Sequence, residues 1–150
     1  MTHGPTPGFP APTIDHVAIA VESLERSVPR WAALLGQTAV EEDLPADGVR
    51  VAFFSCGDSR IELVAPTSDD SPTARSLRRR GAGLHHICLS TPDLGAALKA
   101  AQERGLEVVP PGVRTGAGGT KVAFLHPRGA DGTLVELRQA GDPKASEPKR

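Results

Sequence analysis

Aromatic residues, net charge and long apolar runs are all scarce in this chain of 150 residues. With no tyrosine, one tryptophan and four phenylalanines, it offers little to line a pocket for an aromatic ligand such as a catechol. The formal net charge of -1 gives no general attraction to nucleic acid or to an anionic membrane, so any anionic ligand must be met locally. No apolar run approaches the roughly 18 residues that span a bilayer.

Cysteine is almost absent too. Cys56 and Cys88 are the only two, and both lie in apolar, strand-like runs without a CxxC spacing. We predict small core residues in a reducing compartment, not a disulfide or a zinc site. The N-terminus lacks the features of a signal or transit peptide. We therefore expect a soluble, cytoplasmic protein with a disordered arm over residues 1–13 and a polar tail over residues 141–150.

The chain between these ends repeats itself. The run "IDHVAIAVESLERSV" aligns with "LHHICLSTPDLGAAL" at an offset of 70, which places His16 on His86. The triplet "VAF" recurs at an offset of 71, and "IEL" aligns with "VEL" at an offset of 74, which places Glu62 on Glu136. Each half thus carries a histidine in its first strand and a glutamate in its last.

Helix signals follow the first strand of each half. Ser23 and Asp93 are suitable N-cap residues, and Gly36 and Gly105 are suitable residues just beyond a helix C-terminus. A proline inside a helix costs about 3 kcal/mol, so we expect the first helix to start late or to kink at Pro29.

Each helix is followed by three predicted strands, which makes a βαβββ unit used twice. The strands are expected at residues 38–42, 50–55 and 59–65 in the first half, and at 106–109, 121–126 and 133–139 in the second. Ser71 and Pro72 predict the start of a linking helix over residues 71–80. The predicted fold class is α+β, one domain over residues 14–140 with modules at about 14–66 and 84–140. The modules are expected to form a half-open barrel in a pseudo-twofold arrangement.

The repeated histidine and glutamate predict a metal site in that barrel. Taken singly, each such residue is usually a satisfied or solvent-facing polar side chain, but that reading does not explain their recurrence at matched places. Two imidazoles and two carboxylates with open positions suit an octahedral divalent ion, held by His16, Glu62, His86 and Glu136. Neighbours on a strand point to opposite faces, so we expect His85 to face away from the metal.

Five motifs carry a resemblance to a known family. In order, "IDHVAIAV", "DSPTARSL", "GLHHICL", "VAFLHP" and "GTLVELRQA" resemble motifs of the vicinal oxygen chelate superfamily and, within it, of the methylmalonyl-CoA epimerase family. The resemblance covers residues 14–140. It implies His16, His86 and Glu136 as metal ligands, with Glu62 as the fourth, at a position that is glutamine in some members. It also implies a divalent ion, cobalt(II) first and manganese(II), nickel(II), iron(II) or zinc(II) as alternatives, and a homodimer.

The activity that the resemblance implies is epimerisation of an acyl-CoA substrate. The (R) and (S) forms of methylmalonyl-CoA would be interconverted by metal-assisted removal and return of the proton at C2, with Glu136 and Glu62 as proton carriers. Some members have a catalytic glutamate at the position of Val51, so the resemblance does not by itself identify the second proton carrier in this chain.

Substrate contacts are predicted in the loop "RTGAGGTK" and at "FLHP". Gly118, Gly119 and Lys121 could close on the CoA portion, and His126 could lie near the cleft, although it could equally be structural. The arginines between residues 75 and 80 rank below this loop. Two alternatives remain: a related metal enzyme, either lactoylglutathione lyase (glyoxalase I) or an extradiol dioxygenase, and a non-catalytic small-molecule-binding protein of the same fold.

Overall fold

The computed structural model describes residues 11–141, so most of the expected N-terminal arm and C-terminal tail lies outside the described residues. Contacts divide the chain into two compact units, residues 15–87 and, among the described residues, 11–14 with 88–141. The elements, in chain order, are β1 (Thr13–Ala20), α1 (Leu24–Leu35), β2 (Val40–Leu44), β3 (Val49–Cys56), β4 (Ser59–Pro66), α2 (Pro72–Arg80), β5 (Gly83–Thr91), α3 (Leu94–Glu103), β6 (Arg114–Thr115), β7 (Lys121–Leu125) and β8 (Val135–Gln139).

The unit of residues 15–87 has the strand order β2-β3-β4-β1-β5. Strands β2, β3 and β4 pair antiparallel, whereas β1 pairs with β4 in parallel. Because side chains alternate along a strand, each face of this sheet has its own residues. One face packs on α1 through an apolar cluster that includes Leu24, Phe54 and Leu63. The opposite face carries His16 and Glu62.

The unit of residues 88–141 repeats this plan with the order β5-β8-β7-β6. Leu94 and Leu98 of α3 pack on Ala123 and Leu137 of the sheet. Glu136 lies on the other face of the same strands. In both copies the first strand neighbours the last, and the three later strands are consecutive neighbours. The prediction of two βαβββ modules is confirmed.

The helix caps follow the sequence, but the start of α1 does not. Ser23 accepts a hydrogen bond from a backbone N–H as the N-cap of α1, Asp93 does the same for α3, and Gly36 ends α1 in the left-handed conformation with φ of 63°. Helix α1 begins at Leu24 and runs unbroken through Pro29, so the expected late start is wrong. The cap and the apolar face of α1 outweigh the one backbone hydrogen bond that proline cannot donate.

The linking helix is confirmed as α2, with Ser71 as its N-cap and Pro72 in its first turn. The strand expected at residues 106–109 is wrong. That segment forms a single bridge, from Val108 to Leu125, and the outer strand β6 lies further on. Two consecutive prolines follow the segment at residues 110–111, and because they have no N–H they cannot donate to a ladder there.

The two cysteines differ. Cys88 is fully buried, as predicted, but Cys56 is exposed, so its assignment to the core is wrong. Cys56 is the last residue of β3, paired with Ser59 across a tight turn, where the strand leaves the cover of α1. Among residues 11–141, no helix has the length and apolar character that crossing a membrane requires.

Candidate metal centre

Three of the predicted ligands converge in the unit of residues 15–87. His16 on β1 has its Nε2 atom 2.6 Å from Oε2 of Glu62 on β4 and 3.3 Å from Nε2 of His86 on β5. All three residues are buried, with exposed fractions of 4%, 6% and 7%. The parallel register explains the meeting: Ala18 lies beside Glu62, so the side chain of His16, two residues earlier, points to the same face.

The second nitrogen of each histidine ring is held by a neighbour. Nδ1 of His16 is 2.6 Å from Oδ2 of Asp15, and Nδ1 of His86 is 2.8 Å from Nδ1 of His85. A carboxylate only accepts hydrogen bonds, so we assign the proton of His16 to Nδ1, which leaves a lone pair on Nε2. The half-buried His85 contacts Nδ1 of His86, whereas Nε2 of His86 faces His16.

This donor set fits a divalent cation. Adjacent ligand atoms on an ion with bonds of about 2.1 Å lie about 3 Å apart at right angles. The two contacts of His16 bracket that separation, at 2.6 and 3.3 Å. Imidazole nitrogens and carboxylate oxygens can both bind a cation through their lone pairs. Mixed nitrogen and oxygen donors are those that the first-row divalent metals accept.

Glu136, the fourth predicted ligand, lies in the other unit. It is on β8, 8% exposed, and it pairs with Phe124 of β7. Glu62 pairs with Phe53 of β3 in the same way. The repeat seen in the sequence therefore extends to the local register around each glutamate. The role of Glu136 as a ligand stays a prediction.

An aromatic ring and an arginine flank His16. The ring of Phe53 meets that of His16 edge to face, with centroids 5.7 Å apart, and the guanidinium of Arg60 lies 4.1 Å from the centroid of Phe53. Val51, two residues before Phe53 on the same face, is 1% exposed. Directly across from Val51 on β2 is the half-buried Glu42.

The predicted substrate contacts occupy a turn and two strand ends. Gly118 and Gly119 have φ of 69° and 75°, a conformation that favours glycine, and both are exposed. Nζ of Lys121 donates to Oγ1 of Thr115 at 3.1 Å. Lys121 shares a sheet face with Ala123 of the apolar cluster, not with Glu136.

His126 has a structural partner in the turn that follows β7. Its Nδ1 accepts a hydrogen bond of 3.0 Å from the backbone N–H of Arg128, which caps the short helical turn Pro127–Gly129. The contacts of Gly118, Gly119, Lys121 and His126 with substrate stay predictions.

Two arginines that the motifs did not single out share a sheet face with Glu136. Arg114 of β6 and Arg138 of β8 both lie opposite Val122, and both are half-buried. Arg114 lies 4.9 Å from the centroid of Phe124. The alternation of side chains along "VELR" predicts that Arg138 lies on the same sheet face as Glu136. The position of Arg114 depends on the register of β6 against β7, which the sequence does not predict.

Comparison with known proteins agrees with this description. A sequence profile of the Glyoxalase/Bleomycin resistance protein/Dioxygenase superfamily matches residues 15–124. The chain belongs to this superfamily. It also belongs to the methylmalonyl-CoA epimerase family, because it is 39% identical to the human mitochondrial methylmalonyl-CoA epimerase over 129 residues, which cover 85% of this chain and 73% of that protein.

A bacterial relative and two solved structures extend the match. The ethylmalonyl-CoA/methylmalonyl-CoA epimerase of Cereibacter sphaeroides is 40% identical over 84% of this chain and 96% of its own. The methylmalonyl-CoA epimerase structure from Mycobacterium tuberculosis has a TM-score of 0.83 at 28% identity, covering 97% of this chain and 98% of its own. A variant of the Streptomyces coelicolor enzyme in complex with 2-nitronate-propionyl-CoA has a TM-score of 0.80 at 32% identity, covering 86% and 94%. The predicted family and fold class are confirmed.

Proposed function

We propose that the protein is an epimerase that interconverts the (R) and (S) forms of methylmalonyl-CoA at C2. The observation that carries the proposal is the buried set of His16, Glu62 and His86, whose donor atoms are spaced for one cation. The human and Cereibacter sphaeroides relatives bear the name of this activity. The related Streptomyces coelicolor structure contains an acyl-CoA ligand.

The proposed cofactor is a divalent metal ion, with cobalt(II) first and manganese(II), nickel(II), iron(II) and zinc(II) as alternatives. Its ligands would be His16, Glu62 and His86, with Glu136 as the fourth. In support, Glu136 is a buried acid in the same local register as Glu62. We also propose that the protein is a homodimer in the cytoplasm.

The chemistry at C2 is a proton removed and a proton returned, so no oxidant or reductant is consumed. A bound divalent ion supplies Lewis acidity for the negative charge that builds on the thioester oxygen as the proton leaves. In this proposal Glu136 takes the proton from one face of C2, and Glu62 delivers one to the other face. The burial of both carboxylates limits competition from water.

The CoA portion carries phosphates, which need donors from backbone amides or cations. We propose that the turn with Gly118 and Gly119 supplies such amides, since both residues are exposed. Lys121 and His126 are further proposed contacts, although their observed partners are Thr115 and the backbone of Arg128.

Proton exchange with solvent tests the function. Metal-loaded protein in deuterated water should introduce deuterium at C2 of methylmalonyl-CoA while the two epimers interconvert. The matched control is His16→Ala, which removes one buried donor and should lose both signals. No exchange at any metal loading would remove the epimerase proposal. Turnover of a glutathione hemithioacetal or of a catechol would instead favour glyoxalase I or a dioxygenase, and ligand binding without turnover would favour a binding protein.

A further inference from the structure

We propose that Asp15 is a positioning residue that aims His16 at the metal, and that Arg60 holds Asp15 in the required orientation. The inference rests on the proposed metal site, because His16 must be a ligand for its orientation to matter. It adds two side chains that do not touch the ion or the substrate to the set on which the site depends.

The first step is the contact between Asp15 and His16. Oδ2 of Asp15 lies 2.6 Å from Nδ1 of His16, the nitrogen opposite the one that meets Glu62 and His86. Metal-bound histidines usually donate their other N–H to a carboxylate, a carbonyl or water, which fixes the tautomer and the ring orientation. The Asp15 carboxylate is placed to do this for His16.

The second step is the contact between Asp15 and Arg60. Nη2 of Arg60 donates to the same oxygen, Oδ2 of Asp15, at 2.7 Å. A carboxylate that accepts two charge-assisted hydrogen bonds on one oxygen has little freedom to rotate away. The side chain of Asp15 is 12% exposed and that of Arg60 25% exposed, so this pair is screened less than an ion pair at the surface.

The third step is what fixes Arg60. It lies beside His16 in the parallel pairing of β1 and β4, so the strand register brings it to the histidine. Its guanidinium stacks on Phe53, whose ring in turn meets His16 edge to face. Asp15, Arg60, Phe53 and His16 therefore form a closed circuit of contacts. Each member restricts the next, and the one ring nitrogen of His16 outside the circuit is Nε2.

Metal affinity, measured without substrate, tests the proposal. The variants are Asp15→Asn, which keeps an acceptor oxygen but loses the charge, and Asp15→Leu, which loses both. Cobalt(II) binding is followed by visible absorption and by competition with a chelating dye. Loss of an outer partner of a ligand typically costs about 10–100-fold in affinity, so Asp15→Leu should weaken binding by that factor and Asp15→Asn by less.

A matched control is Asp43→Asn. Oδ1 of Asp43 accepts a hydrogen bond of 2.8 Å from Nε of Arg50, so this is also an aspartate–arginine pair in the same unit. Asp43 lies on the sheet face toward α1, away from His16. Its amide variant should bind cobalt(II) as the wild type does.

A second readout reports on the histidine itself. In the cobalt(II) protein, the Nδ1 proton of His16 should give a hyperfine-shifted, slowly exchanging proton resonance, because it is buried and hydrogen-bonded. Asp15→Leu should abolish that resonance or speed its exchange, and a merely structural role would leave it in place. Arg60→Leu should speed its exchange while retaining the ion, and Arg60→Lys should partly restore it.

The outcomes separate this proposal from the one on which it rests. If wild-type protein binds no divalent metal, the proposed function fails. If the wild type binds cobalt(II), and Asp15→Leu binds it equally well with an unchanged proton resonance, the proposal for Asp15 is overturned. Should Asp15→Leu fail to fold, as judged by its melting curve without metal, the near-isosteric Asp15→Asn decides. Wild-type affinity and proton exchange in that variant would overturn the proposal as well.

Discussion

The change Glu62→Gln separates the two roles proposed for this glutamate. Its Oε2 atom is 2.6 Å from Nε2 of His16, and both residues are buried, so the change acts inside the proposed metal site. Glutamine keeps the shape and a carbonyl oxygen that can face a metal, but it cannot accept and deliver a proton as a carboxylate does. The variant therefore removes the acid–base function and keeps most of the coordination.

The two expected effects can be told apart. Glutamine keeps an oxygen that can face the metal but has no negative charge to attract the cation, so the variant should bind the metal more weakly than the wild type does. Loss of a general base costs a further factor of about 100–10,000 in turnover. At saturating metal, only the second effect should remain.

The assay measures deuterium uptake and epimerisation separately on each pure epimer of methylmalonyl-CoA. If Glu62 is the second proton carrier, Glu62→Gln should still wash deuterium into one epimer while failing to convert it into the other. The matched variant is Glu42→Gln, because Glu42 is the half-buried acid directly across from Val51, and it should epimerise normally. Near-normal epimerisation by Glu62→Gln would refute the assignment, and a loss in Glu42→Gln would transfer the role.

Three further predictions concern other side chains. Glu136→Gln should keep much of the metal binding yet lose about a hundredfold or more in turnover. Turnover equal to that of the wild type in a stopped assay would contradict the role of Glu136 as a base. His16→Ala should lose the ion in a metal analysis, whereas His85→Ala should retain it with weaker affinity; the reverse result would show the strand facing to be wrong. The Ser68 hydroxyl, which donates to Asp70, is the main reason that the pKa of that carboxyl lies below its ordinary value. The resulting stabilisation is present above about pH 4 and is lost as the pH falls through the lowered pKa. Because Ser68→Ala removes this hydrogen bond, it should raise the pKa of Asp70 in a carboxyl NMR titration, and an unchanged titration would contradict this.

Most of the fold is predictable from the internal repeat. The repeat predicts both βαβββ modules and pairs His16 with His86 and Glu62 with Glu136, because a duplicated pattern indicates shared register as well as shared elements. The capping residues are equally predictable, since Ser23 and Asp93 accept hydrogen bonds from backbone N–H groups only three residues later in the chain.

The predictions that were wrong concern residues whose structure depends on partners distant in the chain. Helix α1 tolerates Pro29 because an apolar cluster packs beneath the helix. Cys56 is exposed although its neighbours in the sequence are apolar, because it lies at the end of β3 and outside that cluster. The outer strand β6 is only two residues long, too short for any periodicity. The contact between Asp15 and Arg60 is not predictable from the sequence for a related reason, because it depends on the parallel register of β1 and β4.

The boundary of the repeats and the boundary of the compact units do not coincide. His86 belongs to the second repeat by sequence, yet it lies in the unit of residues 15–87 with His16 and Glu62. A single repeat carries one such histidine, so an ancestral half-length chain would have had to borrow a strand from a second copy of itself to bring two together. Fusion of the copies turns that encounter into an intramolecular one, at an effective concentration typically near the millimolar range for short connections. A break in the chain between the repeats, within α2, would leave His16 and His86 on separate fragments.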